Sequence, residues 1–193
     1  MKVGILALQG AFREHKKAIE DLGHTAVEIR LPEQLEGIDG LIIPGGESTT
    51  IGKLMIEYSL LEPIKMLGQQ GKPILGTCAG AVLLAKNING SDQPRLGLMD
   101  IAVIRNGFGR QVDSFEEDLD IDILGNPPFK AVFIRAPYIT NVSPQVGILS
   151  KIDDERIVLV RQGSFLACAF HPELTDDSRI HQYFFNMIEE TKK

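Results

Sequence analysis

Short apolar runs alternate with amphipathic segments over the first 85 residues, and this alternation limits the chain to few architectures. KVGILAL (2–8) ends at Gln9-Gly10; TAVEI (25–29), GLII (40–43) and KPILG (72–76) follow as further strands. Between them, residues 12–22 put Ala18, Ile19 and Leu22 on one helical face with charges elsewhere, and Gly23 is placed to end that helix. Residues 48–57 and 60–70 also read as helices, and another begins within 79–85. Strands that are apolar throughout are covered on both faces, which is the pattern of a parallel sheet between helix layers.

After Gly90 the rhythm changes. IAVIR (101–105), KAVFIRA (130–136), YITNV (138–142), VGILSKI (146–152), RIVLVRQG (156–163) and SFLACAF (164–170) read as strands separated by turn residues. Gln162-Gly163-Ser164 is placed to form a tight hairpin. Ile180, Tyr183, Phe184, Met187 and Ile188 share one helix face near the C-terminus. The expectation is an α/β fold in a single domain, 1–193, with a mostly parallel sheet and an antiparallel edge.

Composition narrows the function. The net charge is −6 with no basic stripe, against a nucleic-acid partner. No run approaches the ~18 apolar residues of a membrane span, and the N-terminal run is too short for a signal peptide. Two cysteines, Cys78 and Cys168, are too few for a disulfide framework. The expected location is the cytoplasm. No cluster has metal-ligand spacing, so no metal and no cofactor are expected.

Gly76-Thr77-Cys78-Ala79-Gly80 is a G-x-C-x-G stretch at the point where a strand becomes a helix. That is the cysteine form of a nucleophile elbow. A residue on such a turn is pushed into the open, and glycines two positions away let neighbouring backbone pass. A helix N-terminus beside the sulfur favours thiolate, the attacking form. The alternative is a small buried cysteine packing a helix start.

A thiol nucleophile needs a base, and four histidines are available. His15 lies among charged residues and reads as solvated; His24 and His181 read as structural or exposed. His171 ends a strand, and Pro172 keeps a helix from starting there. In an extended segment Glu173 projects to the same side and can hold the imidazole's orientation and tautomer. The alternative is a turn histidine beside a solvated glutamate. Cys168, mid-strand among apolar residues, reads as packing.

IIPGGESTT (42–50) also sits at a strand end, where backbone N–H groups suit an oxyanion or carboxylate. It is not a phosphate loop: Glu47 stands five residues before Gly52, and Leu54 follows Lys53. No G-x-G-x-x-G occurs either. The alternative is an ordinary glycine turn with Ser48 as N-cap.

GTCAG and FHPE, about 90 residues apart and in that order, resemble the class I glutamine amidotransferases, which carry a Cys–His–Glu triad on a three-layer α/β fold. The finer likeness is to the glutaminase branch serving pyridoxal 5'-phosphate synthase. LALQGAFREH (6–15), PGGESTT (44–50), GTCAGAVLLA (76–85), RNGFGRQVDSFE (105–116), FIRAP (133–137) and ACAFHPEL (167–174) carry it across nearly the whole chain. The resemblance implies Cys78 as nucleophile, His171 as base and Glu173 as orienter. It implies L-glutamine contacts from Gly46, Glu47 and Ser48, from Arg105, and from Ile134 and Arg135. It also implies a hetero-oligomer with a separate synthase subunit, which takes ammonia and builds the product from a pentose phosphate and a triose phosphate.

The chemistry so implied is acyl transfer through a thioester, with N–H groups of Gly46 or its neighbour and of Ala79 on the oxyanion. A cationic Arg105 suits a substrate carboxylate, whereas a surface ion pair is its bland alternative. Two rival functions remain at this point. One is a cysteine hydrolase of the same fold acting on γ-glutamyl or peptide substrates. The other is a non-catalytic regulatory module.

Overall fold

The computed structural model describes residues 1–108 and 114–192. Part of the RNGFGRQVDSFE stretch, residues 109–113, therefore lies outside the described residues.

The first half builds β1 (Lys2–Leu6), α1 (Phe12–Asp21), β2 (Thr25–Ile29), β3 (Gly40–Ile43), α2 (Ser48–Glu57), α3 (Leu61–Gln69), β4 (Ile74–Thr77) and α4 (Ala79–Leu84). The second half adds β5 (Ala85–Ile88), β6 (Met99–Ile104), β7 (Ser114–Leu119), β8 (Phe129–Ile134), β9 (Tyr138–Val142), β10 (Gly147–Lys151), β11 (Ile157–Gln162), β12 (Phe165–Cys168) and α5 (Arg179–Glu190).

The main sheet runs β2-β1-β3-β4-β12-β11-β9-β6-β5, with β10 also paired to β11. From β2 through β12 every neighbour is parallel. β11 then reverses against β12, and β6 pairs antiparallel with β9. The expected mostly parallel sheet with an antiparallel part is what the chain forms.

Successive residues of the apolar strands serve opposite faces, which is why these strands lack polar positions. Leu41 and Ile43 pack with Ile51, Met55 and Ile64 from α2 and α3. Ile42, between them, packs with Ile19 of α1 and Ile180 and Phe184 of α5. Helices thus cover both faces, giving three layers. No helix among the described residues is long and apolar enough to cross a membrane.

Two strands escape a reading by hydrophobicity. β5 follows α4 without a linker, where the helix had been expected to run on from 79–85. β7, SFEEDL, pairs antiparallel with β8 as a separate two-stranded sheet. Its acidic residues face solvent, while Phe115 stacks on Phe133 with ring centroids 4.6 Å apart. Phe129, Phe133 and Leu119 join the core on the α1–α5 side.

Candidate functional site

Parallel strands end at one edge of a sheet, so the residues leaving β1, β3, β4 and β12 meet there. The β4–β12 register aligns Thr77 with Cys168. The next residue, Cys78, donates its N–H to the Cys168 carbonyl at 2.8 Å. His171 follows three residues after β12 and donates its N–H to Val132 of β8, also at 2.8 Å. The small β7–β8 sheet therefore pins the histidine, and the Cys78 thiol points to the Ile134 carbonyl at 3.9 Å.

Cys78 has φ +47° and ψ −103°, a conformation that a non-glycine residue adopts only under constraint. The flanking glycines provide it. A Cβ on Gly80 would stand 2.0 Å from the Ile43 carbonyl oxygen, and one on Gly76 would meet the Gly80 backbone at 2.6 Å. β3, β4 and α4 can approach this closely only with glycine at both positions. Three of the four positive-φ residues other than glycine among the described residues, Cys78, Asn106 and Arg135, line one cleft.

That cleft also holds Gly46, Glu47, Ser48, Ala79, Arg105, Ile134 and His171. The sequence-derived candidates are thus brought together, with Glu173 directly behind. Gln9, Val82 and Pro137 join them from outside that set.

The His171 Nδ1 lies 2.7 Å from Glu173 Oε1, which leaves Nε2 for the thiol. Burial opposes a charge on His171, yet hydrogen bonds to Cys78 and Glu173 and their negative charge outweigh it, raising its pKa to about 10. The imidazolium therefore persists at neutral pH. Burial alone would push Glu173 up, but His15 and His171 together hold it below the usual carboxylate range. Cys168 is the opposite case: fully buried, with its thiol pushed well up by burial.

At the other wall Glu47, not Ser48, is the N-cap of α2. Its carboxylate accepts from the N–H of Thr49 at 3.1 Å and of Thr50 at 2.8 Å. Burial pushes Glu47 up, but bonds from Thr50 and Thr49 and the Arg105 charge bring it down to about 2. Arg105 donates to Glu47 at 2.9 Å, to Thr49 at 3.0 Å and to Gln93 at 2.7 Å. Gln93 Oε1 also accepts from Ser48 at 3.3 Å, so this buried glutamine braces both the loop and Arg105. Sequence reasoning passed over Gln93 because its partners lie 12 to 45 residues away.

His15 corrects an expectation. It is fully buried rather than solvated, 3.0 Å from His181 and 3.1 Å from Thr77 Oγ1. His181 is buried too, at 1% exposure. The signal was present: His15 lies three residues after Phe12 and four before Ile19, on the helix face that packs inward.

Fold and cleft together define an α/β protein that presents a thiol, an imidazole and a carboxylate at the carboxyl edge of a parallel sheet. The chain belongs to the SNO glutamine amidotransferase family, whose model matches residues 5–190. It is 64% identical over 188 residues to the pyridoxal 5'-phosphate synthase subunit PdxT of Moorella thermoacetica, covering 97% of this chain and all of that one. It is 57% identical over 192 residues to the PdxT of Geobacillus kaustophilus, covering all of this chain and 97% of that one. A crystal structure of a glutamine amidotransferase superposes with a TM-score of 0.91 at 52% identity, over 97% of this chain and 98% of the other. A chain in the structure of PurLQS from Thermotoga maritima shares the fold at 16% identity, with a TM-score of 0.72 over 96% of this chain and 97% of that one.

Proposed function

We propose that the chain hydrolyses L-glutamine to L-glutamate and ammonia, and supplies the ammonia to a separate subunit that makes pyridoxal 5'-phosphate. The relatives' names support the pathway, and family membership supports the amide chemistry. The single observation that carries the mechanism is the line Cys78–His171–Glu173, whose first two members line the cleft with Glu173 behind them.

Cys78 attacks the side-chain amide carbon of glutamine as the thiolate. The oxygen of the tetrahedral intermediate takes N–H groups from Gly46 or its neighbour and from Ala79. As the first residue of α4, Ala79 has no intrahelical partner for its N–H. His171 gives its proton to the departing nitrogen, and ammonia leaves. With Nε2 then free, His171 takes a proton from water as the water attacks the thioester, releasing glutamate and regenerating the thiolate. Glu173 holds the ring through Nδ1 in both halves. Arg105, with Glu47 and Ser48, faces the substrate's charged end, and Ile134 and Arg135 form the opposite wall. One domain spanning 1–193 does this work in the cytoplasm, where Cys78 stays reduced.

The partner is the synthase subunit of a hetero-oligomer, which joins the ammonia to carbon from a pentose phosphate and a triose phosphate. The test is ammonia release from glutamine with and without that subunit, beside γ-glutamyl peptides. Release from glutamine that rises with the subunit supports the reading. Preference for the peptides points to a hydrolase of the same fold, and release from neither points to a non-catalytic module.

A further inference from the structure

Behind the triad, the strands and helices bury a second set of polar groups that the proposed cycle does not use. His15 of α1, Thr77 at the end of β4 and His181 of α5 are 0%, 0% and 1% exposed. They meet at the far side of Glu173. One carboxylate oxygen, Oε1, serves His171. The other, Oε2, is sealed from solvent without a well-formed hydrogen bond, and His15 Nε2 lies 3.4 Å from it. The same Nε2 lies 3.1 Å from Thr77 Oγ1, which accepts the Gly45 N–H at 3.1 Å. One imidazole edge thus touches the acid of the triad, the residue before the nucleophile and, through Thr77, the PGGES loop.

The contacts select a tautomer. With its proton on Nε2, His15 donates to Thr77 Oγ1 and turns the same N–H edge toward Glu173 Oε2 at 3.4 Å, while Nδ1 accepts from His181 Nε2–H at 3.0 Å. That leaves the buried His181 Nδ1 as a bare acceptor, consistent with its lack of any partner. With the proton on Nδ1, a lone pair would face a buried carboxylate, and Glu173 Oε2 would have no donor. Burial pushes His15 down, and pushes His181 down to about 3, so both rings are neutral at neutral pH.

We propose that His15 is a positioning residue: as the neutral Nε2–H tautomer, fixed by His181, it holds Glu173 against His171 and locks the Thr77–Cys78 turn to the glycine loop. A neutral donor suits this place. It lies against the carboxylate without competing with the His171 charge that faces the thiol. The inference rests on the glutaminase reading and extends it by one layer.

The test measures glutamine turnover in the presence of the synthase subunit for wild type, His15→Leu and His15→Gln, with melting curves for each. The glutamine amide can present its Nε2–H where the ring did. His15→Leu is expected to lower kcat about 10- to 100-fold with KM little changed, the size of loss expected when buried polar groups lose a partner. His15→Gln is expected to recover most of that loss. Wild-type kcat in folded His15→Leu, or equal losses in both variants, would overturn the proposal. If His15→Leu does not fold, nitrogen-detected NMR of the wild-type imidazoles decides: Nε2–H on His15 supports it, and Nδ1–H or an imidazolium refutes it. A wild type that releases no ammonia would instead remove the glutaminase reading, and this inference with it.

Discussion

Gly45→Ala tests whether catalysis depends on how tightly the glycine loop is packed against the triad. A Cβ at Gly45 would stand 2.3 Å from His171 Cε1, 2.9 Å from Nδ1 and 3.3 Å from Cys78 Cβ. An ordinary carbon contact is restored only if ring or loop moves by about 1 Å, and a misplacement of that size costs about 10²-fold in rate. The two ways of yielding leave different traces. If the ring moves, His171 lengthens its 2.7 Å contact to Glu173, and kcat falls while stability holds. If the loop moves, two hydrogen bonds are strained: Gly45 N–H to Thr77 at 3.1 Å and Ala11 N–H to the Gly45 carbonyl at 3.0 Å. At about 0.5–1.5 kcal/mol each, their loss would lower the melting temperature as well. The assay is steady-state glutamate formation with the synthase subunit present, read beside thermal unfolding. A variant with wild-type kcat and wild-type melting would refute the reasoning, because the space it fills would not be needed by the reaction.

Other expected outcomes follow from the same contacts. Cys78→Ala should abolish glutamine hydrolysis in a folded protein, while Cys168→Ala keeps most of it, since that thiol is fully buried and bonded to the Phe170 carbonyl at 3.4 Å; equal losses would reverse the choice of nucleophile. Arg105→Ala should raise the glutamine KM by about 10- to 150-fold, more than it lowers kcat, as one charge-assisted contact is lost; an unchanged KM would leave Arg105 as a brace for Glu47 and Gln93 alone. NMR titration of His171 should find its proton retained until about pH 10 in the wild type. In Cys78→Ala that proton should leave at a lower pH, because the thiol's bond and charge are among the influences that raise the pKa; no change would mean that Glu173 alone sustains the imidazolium.

Much of the parallel half of the fold could be read locally. β3 and β4 fall on the apolar runs GLII and KPILG, because a strand covered on both faces must be apolar along its length. The G-x-C-x-G turn was equally legible, since its glycines answer a steric demand within a few residues of the cysteine. β7 was not, because three consecutive acidic residues hide the inward Phe115 and Leu119. β5 was hidden by following α4 without a break. His15 was misread for a related reason: charged neighbours in FREHKKAIED outweighed its place on the inward face with Phe12 and Ile19. Gln93 and the His15–His181 contact, 166 residues apart, exist only once the sheet brings distant elements together.

The central claim is that glutamine is opened by Cys78 through a thioester for a partner to use. Its most direct test is an acid quench of the chain turning over glutamine with its synthase subunit, followed by peptide mapping. The account predicts a glutamyl adduct on the peptide carrying Cys78, absent from Cys78→Ala and chased by longer incubation. Turnover without an adduct on that peptide, or with the adduct on the Cys168 peptide, would contradict it.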